Sequence, residues 1–245
     1  MTAYWDARAP HFDGVASHVR LQEVWREVLA AAFAVDTPCD VVDLGTGTGA
    51  CAIIAAALGH RVRAFDGSTA MLAVARAAAE RAGHQVTFVQ SRIADAPIAP
   101  ASADIVTLRN VLWTLERPAE ALEVARRALR LGGRVVVSDG LWSHAPDDRS
   151  DYTPDVAARL PLHAGLSEAD ARRLLHDTGF DGISSWQHLF RSEPYPGGVP
   201  AFVLSAQPRD AASHDAGGRA IGWDNRIDTD PHPSEDGAPW RQDTA

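Results

Sequence analysis

One segment constrains the fold of this 245-residue chain more than any other: Asp43-Leu44-Gly45-Thr46-Gly47-Thr48-Gly49. It follows a β-rich run at 40–44 and opens an alanine- and isoleucine-rich helix over 50–58. Glycines in that setting let the backbone turn sharply and approach a ligand, while the helix N-terminus offers unpaired N–H groups. A second β-rich run, 62–65, ends at Asp66, 19 residues beyond Gly47. Nucleotide-binding folds place a carboxylate there to accept hydrogen bonds from ribose hydroxyls. Asp66 could also be a plain turn residue before Gly67-Ser68, but the strand–loop–helix–strand context favours the ribose reading.

The strand–helix rhythm continues. A helix is expected over 69–82 with Ser68 as N-cap, then strands at 86–89 and 105–108. Pro118 opens a helix over 119–129, closed by Gly132-Gly133, and a strand follows at 135–137. A helix over 167–177 ends at Gly179, and runs at 183–189 and 201–206 read as two final strands. Such alternation implies an α/β fold with a mostly parallel sheet. Residues 36–206 form this domain. Residues 1–35 read as helical, with Val24, Trp25, Val28, Leu29 and Ala32 at helical spacing. The proline-bearing stretch 140–166 reads as a connection on the ligand side. Residues 207–245, rich in Asp, Gly, Pro and Arg, read as a disordered tail.

Composition removes several chemistries. All 23 basic residues are arginine, which excludes a P-loop lysine, Schiff-base catalysis and pyridoxal phosphate. A net charge of −9 leaves no electrostatic footprint for nucleic acid. Cys39 and Cys51 have no CxxC spacing, the histidines are scattered without an HExxH, and no metal site is expected. No leader pattern or bilayer-length apolar run is present, so a cytoplasmic protein that engages no membrane is expected.

Two nucleoside ligands fit the loop. Gly45-x-Gly47-x-x-Ala50 also satisfies a dinucleotide pattern. Asp43, however, stands at the mouth of the loop, where a carboxylate repels a pyrophosphate and favours a ligand bearing an ammonium. S-adenosylmethionine has an ammonium, a sulfonium and a ribose, and no phosphate.

The loop, together with Phe65-Asp66-Gly67-Ser68-Thr69-Ala70-Met71-Leu72, resembles motifs I and II of class I S-adenosylmethionine-dependent methyltransferases. The likeness runs on through Ala103-Asp104-Ile105-Val106, Arg109-Asn110-Val111-Leu112-Trp113-Thr114-Leu115 and Leu129-Arg130-Leu131-Gly132-Gly133-Arg134. The opening Tyr4-Trp5-Asp6-x-x-Ala9-x-x-Phe12-Asp13 is similar to the lid of small-molecule methyltransferases. The resemblance implies a Rossmann-like seven-stranded sheet, six strands parallel and one antiparallel, with helices on both faces. It implies S-adenosyl-L-methionine as cofactor, held by Asp43, Gly45, Thr46, Gly47, Gly49, Asp66, Gly67, Met71 and Asn110, with Tyr4 and Trp5 closing over it. Relatives carry an acid after the third strand that contacts adenine; Arg92 stands there and has only donors. Either Asp95 substitutes, or the backbone reads the base, or packing holds it.

Methyl transfer to O, N or C of a small molecule needs alignment and a dry site more than a strong electrophile. A place in secondary metabolism is expected, in a monomer or homodimer. Same-fold cyclisation or aminocarboxypropyl transfer, and a non-catalytic cofactor-binding relic, stay open as alternatives. Acceptor-side residues are expected after strands four and five: Arg109, Trp113 and Trp142 for substrate, and Asp139, Tyr152 and His163 for proton transfer. Each has a plainer role open to it. Trp113 could be core, His163 a structural histidine, and Arg109 a partner for Asp139.

Overall fold

The computed structural model describes residues 1–15, 22–142, 152–195 and 198–209. The tail from residue 210 and part of the 140–166 connection therefore lie outside the described residues. Helices α1 (Thr2–Val15) and α2 (Gln22–Phe33) precede the sheet. Then follow β1 (Asp40–Leu44), α3 (Ala50–Ala57), β2 (Arg61–Asp66), α4 (Thr69–Arg81), β3 (Thr87–Gln90), β4 (Ala103–Arg109), α5 (Pro118–Ala128) and β5 (Leu129–Gly140). The chain continues through α6 (Pro154–Ala157), α7 (Glu168–Asp177), β6 (Phe180–Ser185) and β7 (Ala201–Pro208).

The seven strands lie in the order β3-β2-β1-β4-β5-β7-β6. Strand β7 runs antiparallel to both neighbours, so six strands share one direction and one opposes them. The order reverses between β1 and β4, and ligand crevices open at the carboxyl ends of strands around such a point.

The sheet is buried on both faces because consecutive side chains point opposite ways. Val42, Val106 and Val135 join Leu122 and Ala125 of α5 and Leu175 of α7. Val41, Ile105 and Val136 join Trp25, Val28 and Leu29 of α2 and Ile54 of α3. Ser68 caps α4 by accepting from the Met71 N–H at 3.0 Å, and Ser167 caps α7 through the Asp170 N–H at 3.1 Å. Both caps satisfy helix donors that would otherwise lack partners.

Three boundaries depart from the sequence reading. Helix α5 stops at Ala128, not at the glycine pair, because Leu129 turns extended to pair with Ala103 and bury its side chain. Gly132, with φ of 77°, then sits within β5 where the register shifts. The run at 183–189 splits: β6 ends at Ser185 and Gln187–Leu189 form a 3₁₀ turn. Trp186 fixes the break, since its N–H donates to Val203 O and its Nε1–H to Ser205 Oγ, both at 2.9 Å. Residues 207 and 208, assigned above to the tail, belong to β7.

Phe202, 2% exposed in β7, ties the antiparallel edge to the core. Phe202→Ala is expected to cost about 3–5 kcal/mol. Urea unfolding should show a lowered midpoint with an unchanged slope; an unmoved midpoint would contradict this packing.

Candidate active site

A cavity of about 530 Å³ opens at the carboxyl ends of β1, β2 and β4. Its floor is the predicted loop. Gly45 and Gly47 both have positive φ, 69° and 55°, which side-chain-bearing residues rarely adopt. Their surroundings differ. A Cβ on Gly45 would stand 2.3 Å from Val111 Cγ2, whereas one on Gly47 would meet nothing within 4 Å. Gly45 therefore serves packing against Val111, and Gly47 leaves its backbone open to the cavity.

Asp66 ties this floor to the next strand. Its Oδ2 accepts from the Gly47 N–H and its Oδ1 from the Ser68 N–H, each at 2.8 Å. Burial pushes its carboxyl above the ordinary range, and the two N–H bonds oppose that. Asp43 lies deeper, 1% exposed. Thr107 Oγ1 donates to its Oδ1 at 2.5 Å, while its Oδ2 has no hydrogen-bond partner. Burial likewise raises the Asp43 carboxyl, against the pull of the Thr107 and Thr46 hydroxyls and the nearby Arg109.

Helix α1 closes one side. Asp6 Oδ1 accepts from Ser68 Oγ at 2.6 Å and from the Ala70 N–H at 3.2 Å, anchoring α1 to the start of α4. Trp5 and Phe12 then face the cavity. Tyr4 packs instead on Tyr152, ring centroids 4.8 Å apart. Trp113 stands edge-on to Trp5 at 6.3 Å and next to Tyr152 and Trp142 at 5.7 and 6.0 Å.

Of the predicted cofactor residues, Asp43, Gly45, Thr46, Gly47, Asp66, Gly67, Met71, Asn110 and Trp5 line the cavity; Gly49, Asp95 and Tyr4 do not. Gly49 instead presses its backbone against Ala75. At the β3 end the lining is Arg92, Ile93 and Ala94, with Asp95 exposed. That leaves backbone groups and packing there in place of a carboxylate.

The acceptor-side residues divide as well. Arg109 lines the cavity, its guanidinium carbon 3.8 Å from the centre of the Trp25 ring. Asp139 is not its partner. That carboxylate is 0% exposed and accepts from the Gly140 N–H at 2.9 Å and Trp142 Nε1–H at 3.0 Å. Burial pushes it up to about 7. Trp113, Trp142 and Tyr152 form a buried aromatic cluster that does not line the cavity. His163 Nδ1 stands 3.1 Å from Leu160 O within its own turn, also away from the cavity. None of the three proton-transfer candidates therefore reaches the cavity.

Sequence reasoning missed several participants. Tyr195 OH donates to Asn110 Oδ1 at 2.9 Å across 85 residues, and no local pattern announces that. The ion pairs Arg159–Glu116 and Arg117–Glu120 stand at the outer lining. Among the described residues no His, Cys, Asp and Glu cluster could hold a metal, and no helix is long and apolar enough to cross a membrane.

Residues 42–137 match the methyltransferase domain family. The chain is 31% identical over 167 residues to a demethylmenaquinone methyltransferase of Clavibacter sepedonicus, covering 67% of this chain and 66% of that protein. It is 34% identical over 122 residues to a ubiquinone/menaquinone biosynthesis C-methyltransferase of Nitrobacter hamburgensis, covering 46% and 48%. The chain thus spans no more than about two thirds of the length of these relatives. An S-adenosylmethionine-dependent methyltransferase structure from Aquifex aeolicus shares the fold at TM-score 0.56 and 19% identity, covering 76% of this chain and 91% of that one. The chain carries a methyltransferase domain over residues 42–137 and shares the fold of S-adenosylmethionine-dependent methyltransferases. The site fits S-adenosylmethionine: the carboxylates of Asp43 and Asp66 line one cavity together with the loop residues Gly45, Thr46 and Gly47. The buried Oδ2 of Asp43 provides an unmet acceptor for an ammonium.

Asp66→Ala should weaken S-adenosylhomocysteine binding by about 1.5–3 kcal/mol, the worth of charge-assisted hydrogen bonds; unchanged affinity by calorimetry would remove Asp66 from the site. A second expectation concerns Asp139. Its pKa is raised from 3.8 to about 7 in the folded chain, so folding binds its proton more tightly. Its stabilising contribution is full below about 4 and is lost as pH rises through about 7. Asp139→Asn should therefore gain stability relative to the parent between pH 4.5 and 7.5, and a pH-independent difference would contradict the assignment.

Proposed function

We propose that this chain transfers the methyl group of S-adenosylmethionine to a compact, electron-rich aromatic acceptor such as a hydroquinone ring. The observation that carries the reading is the docking of α1. Trp5 and Phe12 close the same cavity that the glycine loop and Asp66 line. A ceiling of that kind keeps water from the reacting centre.

When bound, S-adenosylmethionine supplies a methyl carbon made electrophilic by the sulfonium. The chain's residues hold and align. Asp66 accepts the ribose hydroxyls, Asp43 faces the ammonium, and Gly47 leaves room for close backbone approach. Val111, Thr114 and Leu115 continue the lining toward the acceptor side. Proton transfer is the informative part. Of the lining carboxylates, Asp43 and Asp66 belong to the cofactor end, while Glu116 and Glu120 are paired with Arg159 and Arg117. No unpaired base faces the acceptor side among the described residues, so the acceptor must be nucleophilic by its own acidity. A hydroquinone meets that need through its phenolate, which activates ring carbon and oxygen alike. The names of the relatives include both a C- and an O-methyltransferase, and they favour quinone-like acceptors over a secondary metabolite. Two free, buried cysteines accord with a cytoplasmic setting.

Incubation with methyl-labelled cofactor and a panel of naphthohydroquinones, catechols, amines and carboxylates tests this. Label is expected in the hydroquinones and catechols; transfer confined to amines or carboxylates would overturn the acceptor class. Removing residues 1–13 should leave a folded sheet with turnover reduced at least tenfold, because the ceiling is gone. Hydrogen exchange over residues 2–12 should slow when S-adenosylhomocysteine is added. Full turnover by the truncated protein would reduce α1 to a structural brace.

A further inference from the structure

We infer that Arg109 grips the carboxylate at the methionine end of the cofactor while Asp43 takes the ammonium, so that the two side chains read the zwitterion as a unit. This rests on the cofactor reading above and adds a residue and a specificity to it. Arg109 is the last residue of β4, two beyond Thr107, which pairs with Asp43 across the β1–β4 ladder. Residues two apart on a strand share a face, so Arg109 lies on the Asp43 side of the sheet, and both line the cavity.

The guanidinium has a defined plane. It stacks on Trp25, which is 0% exposed, at 3.8 Å, and both its charge and a side-chain hydrogen bond act on the Tyr195 hydroxyl. Two of its nitrogens, Nε and Nη2, are buried with no hydrogen-bond partner. These nitrogens share one edge of the guanidinium, and two parallel N–H groups on one edge match the two oxygens of a carboxylate. Beside them, Asp43 Oδ2 is buried and equally unpartnered.

Buried charged groups with unmet hydrogen bonds are rare and call for an explanation. A direct bond between these residues would satisfy both, yet none joins the three orphaned atoms. An anion alone would satisfy Arg109 and leave Asp43 Oδ2 unmet; a cation alone would do the reverse. An α-amino acid carries both charges on one carbon. The arginine plane matters as much as its charge, since a lysine could neither stack on Trp25 nor present the two-donor edge.

Calorimetry with three probes tests the inference: S-adenosylhomocysteine, its decarboxylated analogue, and 5′-methylthioadenosine, which lacks the amino-acid end. The parent protein should bind S-adenosylhomocysteine roughly 10–100-fold more tightly than the decarboxylated analogue, the range for charge-assisted hydrogen bonds. Arg109→Gln should erase that preference and leave 5′-methylthioadenosine affinity within about twofold; Arg109→Lys should restore only part of it. Equal loss for all three probes would mean a structural role and would overturn the inference. So would undiminished S-adenosylhomocysteine affinity with a raised KM for the acceptor, which would move Arg109 to the acceptor. If Arg109→Gln does not fold, the parent decides alone: equal affinity for the acid and its decarboxylated analogue overturns the assignment. Binding of none of the three probes by the parent would defeat the cofactor reading itself.

Discussion

The site depends on one carboxylate held between two strands. Asp66 ends β2, accepts from Gly47 in the β1 loop, and accepts from Ser68 at the head of α4. Ser68 caps α4 and donates to Asp6 of α1. Through these few bonds the loop, the second strand, the fourth helix and the N-terminal helix take fixed places around one cavity. Each Asp66 oxygen spends one acceptor position on a backbone N–H and keeps capacity for a ribose hydroxyl. The group that organises the site is thus also suited to reading its ligand.

Charge is arranged along the cavity. Two carboxylates stand at the β1 and β2 ends, Arg109 lies beside the deeper one, and ion pairs stand at the outer lining. The arrangement suits a ligand with a neutral nucleoside body and a zwitterionic end, and it opposes a pyrophosphate. Asp139, whose carboxyl burial pushes up to about 7, is sealed beneath Trp142. A shifted pKa marks a functional site only where the group can reach one; here it records burial.

Much of the frame was legible because it rests on local rules. Apolar runs separated by helical patterns located the strands, and Ser68 announced its helix. Glycine spacing and the distance to Asp66 pointed to residues that line one end of the cavity. The glycine pair at 132–133 misled because Leu129 found a strand partner in Ala103, a contact invisible locally. The run at 183–189 misled because Ile183, Trp186 and Leu189 suit either a strand or a turn until Ser205 claims the indole. The acceptor side was least legible. Which of Trp113, Trp142, Arg109 and Asp139 faces the cavity depends on packing with Trp25, Tyr152 and Tyr195, all distant in sequence.

The central claim is that the glycine loop and its two carboxylates take a phosphate-free nucleoside carrying an amino-acid end. Calorimetry of the full chain against S-adenosylhomocysteine and NAD tests it most directly. The account predicts one equivalent of S-adenosylhomocysteine bound and no heat from NAD. Saturable binding of NAD, or none of S-adenosylhomocysteine, would contradict it.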